Sequence, residues 1–174
     1  MKIAHLCLSV GKGGAEKLLV ENLPHHVAQG NEVTMIQLSS IEEEPGYIDI
    51  LEKAGVKLIT LSPGGFLNPI LFFRLLKTIR SNHFDILHVH LFPCIYYASF
   101  ASRFLRKFPV LVVTEHSSVN RRQDKKWLRP VERFMFQKYD SIIAVSKNVE
   151  SIIKKTLPWF TKKIITINNG INLE

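Results

Sequence analysis

Short apolar runs rich in valine and isoleucine alternate along the chain with longer segments of helical spacing, and this alternation strongly constrains the fold. Several runs are apolar at nearly every position, which is typical of parallel strands covered by helices on both faces. The pattern predicts a Rossmann-like, doubly wound α/β domain with a parallel sheet of about seven strands. The predicted strands are Lys2–Ser9, Glu32–Ser39, Val56–Leu61, Asp85–His90, Pro109–Glu115, Asp140–Val145 and Lys163–Ile167.

The segments between these strands have the spacing of amphipathic helices. Gly30 and Gly55 follow the first two of them, as glycine commonly does at helix ends. Pro24 lies inside the first helix, where it removes a backbone donor, so we expect a kink or break near Leu23. The predicted helices are Ala15–Gln29, Ile48–Ala54, Pro69–Ser81, Ile95–Arg106, Lys126–Lys138 and Asn148–Leu157.

The length of 174 residues is that of one domain, residues 1–174, so a function that needs two large lobes cannot be complete within it. The net charge of +8 favours anionic partners, whether phosphorylated ligands, anionic lipid surfaces or nucleic acid.

Cys7 and Cys94 stand in apolar stretches and form no metal-ligand pattern, which predicts free buried thiols in a reducing compartment. With no signal peptide and no apolar run of about 20 residues, we expect a cytosolic protein without a membrane span.

A glycine-rich loop, Ser9–Glu16, joins the first strand to the first helix. Glycines let backbone amides approach a phosphate closely, and the helix N-terminus adds the positive end of its dipole. The loop is neither a dinucleotide fingerprint, since Glu16 stands where the third glycine belongs, nor a P-loop. A phosphate site and a tight turn without a ligand both fit this sequence.

Polar residues also follow two later strands, at the ends where open parallel sheets bind ligands. His88 and His90 share one face of the fourth strand by the two-residue period. For His88 the sequence favours a buried core residue. For His90, at the carboxyl end of the strand, a core role and a contact with a ligand hydroxyl or phosphate fit equally well.

The fifth strand ends in Thr114-Glu115-His116-Ser117-Ser118, an acid, an imidazole and hydroxyls placed where an acceptor hydroxyl can be oriented. The alternative for the serines is a cap of a turn or helix. The basic loop Arg121–Lys126 follows, and it is either solvated or faces an anionic acceptor. Near the C-terminus, Asn169-Gly170 is a turn signal that only four residues follow. We therefore expect that the sequence stops where a connection to a further segment begins.

With these motifs in order, the sequence resembles the N-terminal half of GT-B glycosyltransferases, in particular the retaining family-four group that uses nucleotide-sugar donors. The resemblance implies a single acceptor-binding lobe that faces a second, nucleotide-sugar-binding lobe absent from these residues. The matching pieces are Gly13-Gly14-Ala15-Glu16, Gly30-Asn31-Glu32-Val33-Thr34, Asp85-Ile86-Leu87-His88-Val89-His90, Thr114-Glu115-His116, Asp140-Ser141-Ile142-Ile143-Ala144-Val145-Ser146 and Ile167-Asn168-Asn169-Gly170-Ile171.

The resemblance also implies roles for individual residues. Gly13 and Gly14 match the glycine loop whose amides approach the donor diphosphate and sugar. His116 matches the cleft histidine that contacts the donor sugar and helps to arrange the reacting centre, which makes it the expected catalytic residue. His90 and the Arg121–Lys125 loop lie where acceptors are held, and Asn169-Gly170 matches the hinge into the second lobe. Glu115 and Ser117 join them as expected acceptor contacts, together with Arg121 and Lys125 at the two ends of the loop.

These implications give the leading hypothesis, an enzyme that transfers a sugar from a nucleotide-sugar to a glycan or lipid-linked acceptor with retention. No metal or other cofactor is expected in this domain, and the isolated lobe is expected to have little activity, because leaving-group charge lacks its stabilising partners. The alternative is a stand-alone phosphate- or nucleotide-binding module. The +8 charge suggests peripheral contact with an anionic membrane, whereas nucleic acid is not expected, since the sequence offers no stacking platform.

Overall fold

The computed structural model describes residues 1–66, 68–116, 126–160 and 162–168. Within them, seven strands alternate with six α-helices, and a short 3-10 helix at Lys126–Leu128 precedes the fifth. The strands are β1 Lys2–Cys7, β2 Glu32–Gln37, β3 Lys57–Thr60, β4 Ile86–His90, β5 Val110–Glu115, β6 Ser141–Ala144 and β7 Lys163–Thr166. The helices are α1 Gly14–Ala28, α2 Pro45–Lys53, α3 Ile70–Asn82, α4 Cys94–Ala101, α5 Arg129–Phe136 and α6 Lys147–Thr156.

All seven strands form one sheet in the order β3-β2-β1-β4-β5-β6-β7, and every neighbouring pair is parallel. The predicted doubly wound, Rossmann-like sheet is therefore confirmed. The chain leaves β1 toward β2 on one side and returns at β4 on the other, so the strand order reverses between β1 and β4. The crevice outside the carboxyl ends of the strands at such a point is where open α/β sheets bind ligands.

Each face of the sheet carries its own hydrophobic core. Helices α3 to α6 pack over one face, where Leu6, Leu87 and Leu111 are buried. Helices α1 and α2 pack over the other, where Cys7 and Met35 are buried. Because successive side chains of a strand point to opposite faces, the face on which a residue lies follows from its place in this alternation.

The predicted helix bounds are off by one to five residues, and for α1, α2 and α4 the difference from the prediction has a local reason. Helix α1 runs without a break through Pro24, so the expected break was wrong. Burial of Leu19, Val20 and Leu23 offsets the lost backbone bond. Helix α2 begins earlier than predicted, at Pro45, because proline suits the first helical turn.

Helix α4 ends at Ala101, five residues before the predicted end at Arg106. The hydroxyl of Ser102 donates to the carbonyl oxygen of Ser99 at 2.7 Å, and the guanidinium of Arg103 donates to the same oxygen at 2.6 Å. The amides of Arg103 and Phe104 donate to carbonyls only three residues back, those of Phe100 and Ala101, so the chain leaves the α-helical pattern here.

Both cysteines are free and buried, as predicted. Burial raises the pKa of the Cys7 thiol well above its ordinary value, so this sulfur behaves as an apolar core atom. In the described parts of the chain, no helix combines the length and apolarity needed to cross a membrane.

Candidate functional site

The glycine loop leaves the carboxyl end of β1 and is shaped by one close backbone contact. A Cβ atom on Gly11 would lie 2.6 Å from the carbonyl oxygen of Glu42, so the two segments can approach only if residue 11 has no side chain. The Glu44 amide donates to the Val10 carbonyl at 2.8 Å, and the Val10 amide donates to Gln37 Oε1 at 3.1 Å. These bonds hold the loop against the end of β2.

Gly13 and Gly14 stand at the start of helix α1, which uses no side chain to cap its first amides. A Cβ atom on Gly14 would meet no atom within 4 Å. On Gly13 it would meet the movable carboxylate of Glu16. The helix N-terminus therefore presents amide hydrogens and open space together, a chemistry that suits an anionic group.

Histidines on three adjacent strands share the face of the sheet that α1 covers. His5 on β1 is the register partner of His88 on β4, and His90 follows two residues later on the same face. His116 comes directly after β5, two residues beyond Thr114, the register partner of His90. The strand alternation thus gathers four imidazoles near the carboxyl edge.

Three of these imidazoles are joined end to end. His5 Nδ1 lies 3.1 Å from His90 Nε2, and His90 Nδ1 lies 3.3 Å from His116 Nε2. The centroids of the same two ring pairs are 5.4 and 5.6 Å apart. Each centroid distance exceeds the matching nitrogen-to-nitrogen distance by about the radii of two imidazole rings, as expected when the nitrogens lie between the ring centres. The rings of His5 and His90 are tilted by only 12°. They therefore meet through their nitrogens in nearly one plane, as hydrogen-bonded imidazoles do, and not face to face.

The two ends of this histidine chain, His5–His90–His116, carry unpaired nitrogens. His5 Nε2 and His116 Nδ1 are buried and have no hydrogen-bond partner among the described residues. A fifth histidine, His26 of α1, has its ring centroid 5.7 Å from that of His5.

Burial keeps these imidazoles neutral. Loss of hydration holds the pKa of His5 and of His90 well below that of an ordinary histidine, and neighbouring imidazoles add to the effect. Burial also lowers the pKa of His116, and it lowers that of His88 to about 3. At neutral pH each ring therefore carries one N–H donor and one lone-pair acceptor.

His88 lies beside the chain and bonds elsewhere. Its Nε2 is 2.6 Å from Thr114 Oγ1, which supports the prediction of a satisfied core histidine. His5, His88 and His90 each offer a ring nitrogen, and these nitrogens lie within 4.8 Å of one another. The facing nitrogens of His5 and His90 point at each other and not at a common point. This arrangement is that of a hydrogen bond, whereas two ligands of one metal ion would both point at the ion.

The predicted site residues fall into two groups. Gly13, Gly14, His90, Glu115 and His116 stand at or after the carboxyl ends of β1, β4 and β5, and within this group His90 contacts His116. His90 is only 2% exposed, with both nitrogens facing other histidines, and Glu115 is buried at the end of β5. The other predicted acceptor contacts, Ser117, Arg121 and Lys125, and the predicted hinge Asn169-Gly170 lie outside the described residues.

The profile of Glycosyltransferase Family 4 matches residues 12–174, nearly the whole chain. The chain belongs to this family. This Glycosyltransferase Family 4 chain matches no curated protein sequence, but solved structures share its fold. Glycosyltransferase from Rickettsia africae aligns with a TM-score of 0.75 at 17% identity, over 98% of this chain and 43% of that one.

Two further solved structures give the same result. Alr3699/HepE from Anabaena, in complex with UDP and glucose, aligns with a TM-score of 0.71 at 18% identity, over 99% of this chain and 45% of that one. The lipopolysaccharide outer core galactosyltransferase WaaB aligns with a TM-score of 0.71 at 14% identity, over 100% and 47%. The Glycosyltransferase Family 4 chain thus has the fold of one GT-B lobe and spans under half the length of these relatives.

Sequence reasoning missed His5, although a signal for it exists. Because side chains alternate along a strand, His5 lies on the same face of β1 as Ile3 and Cys7. In a doubly wound sheet, β1 and β4 are neighbours. When the alternating faces of β1 and β4 are matched, His5 lies beside His88 and His90. The side-chain distances could come only from the structure.

Proposed function

We propose that this chain is the acceptor-side lobe of a retaining glycosyltransferase, which transfers a sugar from a nucleotide-sugar to a glycan or lipid-linked acceptor. The observation that carries the proposal is that a helix N-terminus opened by glycines, after β1, and a buried imidazole, His116, after β5, both stand at the carboxyl edge of the sheet. Membership of Glycosyltransferase Family 4 and the UDP and glucose bound by Alr3699/HepE support this assignment.

In this proposal the two halves of the edge have different tasks. The amides at Gly13 and Gly14 approach the donor phosphates or sugar, with the helix dipole favouring the negative charge. His116 offers its remaining nitrogen, Nδ1, to a hydroxyl of the donor sugar. Glu115, with Ser117, Arg121 and Lys125, forms the acceptor side, whereas His90 supports His116 from behind, because its two nitrogens face His5 and His116. No metal or cofactor is part of the proposal.

The chemistry also requires groups beyond this lobe. Departure of a nucleoside diphosphate builds up negative charge, and catalysis depends on preorganised positive groups that stabilise it. Lys12 is the one basic residue of the Ser9–Glu16 loop, and its Nζ already lies 3.0 Å from Glu44 Oε2. We therefore propose that a second, nucleotide-binding lobe completes the enzyme and that the 174 residues alone turn over little substrate.

The experiment compares the 174-residue chain with the product of the complete open reading frame, using a panel of radiolabelled nucleotide-sugars and membrane or glycan extracts as acceptors. The proposal predicts sugar transfer by the complete protein and little or none by the 174 residues. Tight nucleotide binding by the 174 residues alone, with no transfer by either protein, would instead support a stand-alone nucleotide-binding module.

We further propose that the acceptor is met at the cytosolic face of an anionic membrane, through an aromatic surface of the lobe. This aromatic surface consists of Phe72, Phe73, Phe100 and Phe104, whose ring centroids are 5.2 to 5.5 Å apart where they contact. Phe73 is 67% exposed and Phe104 58% exposed. Contiguous exposed apolar surface of this kind is typical of interaction sites.

The segments that carry the aromatic surface are rich in basic residues. Helices α3 and α4 with residues 102–108 contain no aspartate or glutamate. Their basic residues are Arg74, Lys77, Arg80, Arg103, Arg106 and Lys107. Exposed aromatic rings on segments that also carry lysines and arginines match the chemistry of an interface with anionic lipid headgroups. The name of WaaB, a lipopolysaccharide galactosyltransferase, is consistent with an acceptor of this class.

A further inference from the structure

We propose that His5, on the first strand, is a positioning residue that acts through His90 to fix which nitrogen of His116 carries its proton. The inference deepens the proposed function and rests on it, because it concerns how His116 presents itself to a ligand. It is carried by the two nitrogen-to-nitrogen contacts of 3.1 and 3.3 Å and by the two outer nitrogens, His5 Nε2 and His116 Nδ1, which have no hydrogen-bond partner in the described part of the structure.

A neutral imidazole has one N–H and one lone pair, so a row of three joined rings has only two self-consistent states. In the first, His5 Nδ1–H donates to His90 Nε2, and His90 Nδ1–H donates to His116 Nε2. His116 must then carry its proton on Nδ1. In the second, both bonds run in the opposite direction, and every ring carries its proton on Nε2.

The two states give His116 opposite properties toward a ligand. In the first state its Nδ1 donates a hydrogen bond, and in the second the same atom accepts one. His116 cannot change its state alone, because a change in one ring leaves two N–H groups or two lone pairs facing each other in a buried bond. Since His90 is 2% exposed and His5 is also 2% exposed, water is largely kept from relieving such a mismatch.

His5 completes the arrangement from 85 residues away in sequence, through the pairing of β1 with β4. His5 is therefore distinct from the residues that touch a substrate. Its contribution is to couple the tautomer of His116, through His90, to its own, as outer residues commonly do for functional histidines.

The test uses the 174-residue chain with ¹⁵N-labelled histidine, in buffer containing EDTA to remove adventitious metal. Long-range ¹H–¹⁵N correlation distinguishes a protonated from an unprotonated ring nitrogen. The proposal predicts that His5, His90 and His116 share one tautomer, all Nδ1–H or all Nε2–H. A mixed set of tautomers among these three rings overturns it, without any variant having to fold.

Variants then test the direction of the influence. His5→Leu is expected to change the nitrogen shifts of His116, and the same substitution in a His90→Leu background is expected to leave them unchanged. An equal response in both backgrounds would show that the influence does not pass through His90, and no response in either would overturn the proposal. His25→Gln, an exposed histidine on α1, is the matched control and leaves the shifts of His116 in place.

In the complete enzyme, His5→Leu is expected to lower kcat about tenfold with little change in the donor KM. His5→Asn, whose amide can replace the Nδ1 contact, is expected to restore much of the rate. The tautomer measurement needs no substrate, so its failure is distinguishable from failure of the proposed transferase function. Concordant tautomers with an unchanged kcat for His5→Leu would overturn the catalytic part of the inference.

Discussion

The carbonyl oxygen of Glu42 lies where a side chain on Gly11 would begin, 2.6 Å from the position of its Cβ atom. The contact is with backbone, which cannot rotate away as a flexible side chain can. It joins the loop after β1 to the segment after β2, and so fixes the glycine loop beside the start of α1.

The Gly11→Ala variant is therefore expected to lower the free energy of unfolding by about 1–3 kcal/mol, the usual cost of forcing an extra methyl group into a packed site. Urea unfolding followed by circular dichroism measures the change. Gly14→Ala is the matched control, because its Cβ meets nothing within 4 Å, and it is expected to keep the stability of the wild-type chain. Equal stability of Gly11→Ala would show that the two loops are not held together.

Gly14→Ala gives a second expectation in the complete enzyme. Since the added methyl group is harmless to the fold, any loss of donor affinity reports a ligand close to the backbone at this position. We expect donor KM to rise roughly tenfold, measured by initial rates. An unchanged donor KM would show that the donor does not bind close to Gly14.

The buried histidines predict a pH dependence of stability. The pKa values of His5, His88, His90 and His116 are lowered in the folded chain, so below a pH of about 6.5 the unfolded chain binds more protons than the native one. Stability must then fall as the pH is lowered. For His88 this loss continues until the pH approaches 3.

Urea unfolding at a series of pH values between 7.5 and 4.5 measures this effect. Each histidine kept neutral adds a slope of up to about 1.4 kcal/mol per pH unit. His88→Gln is expected to reduce the slope, because it removes one of the buried imidazoles. A stability that is flat between pH 7 and pH 5 would contradict the burial of neutral imidazoles.

The aromatic surface predicts binding to membranes. Replacing both Phe73 and Phe104 with serine is expected to weaken binding to vesicles of anionic phospholipid by roughly tenfold or more, since losing partial burial of two phenylalanines costs at least about 1.4 kcal/mol. Flotation of the 174-residue chain with anionic and with zwitterionic vesicles measures the effect.

Ile41→Ser is the matched control for this surface, because Ile41 is 64% exposed but lies outside it, after β2. Its binding is expected to equal that of the wild type. Binding that is the same with anionic and zwitterionic vesicles would contradict the electrostatic part of the proposal, and the absence of flotation with either would contradict the membrane surface itself.

The alternation of strands and helices could be predicted from the sequence because parallel strands buried on both faces are apolar throughout, as Val110-Leu111-Val112-Val113 shows. Helix ends were less predictable, since they depend on single side chains. The end of α4 is accompanied by hydrogen bonds from Ser102 and Arg103 to Ser99, and these become visible only in three dimensions.

The residues of the candidate site that stand at strand ends could be predicted, because strand ends can be located in the sequence. His90 and His116 stand at the carboxyl ends of β4 and β5, and the topology brings them within hydrogen-bond distance. His5 lies within the apolar first strand and carries no motif of its own. Its role depends on the register between β1 and β4 and on rotamers, which local periodicity does not determine.

The most direct test of the proposed transferase site is the turnover of the complete enzyme with and without the His116 imidazole. We expect His116→Ala to lower kcat about a hundredfold or more, the scale of a positioned imidazole, while His25→Gln keeps the wild-type rate. Circular dichroism of both variants checks that the fold is retained. A folded His116→Ala enzyme with wild-type turnover would contradict the assignment of this edge of the sheet as the reaction site.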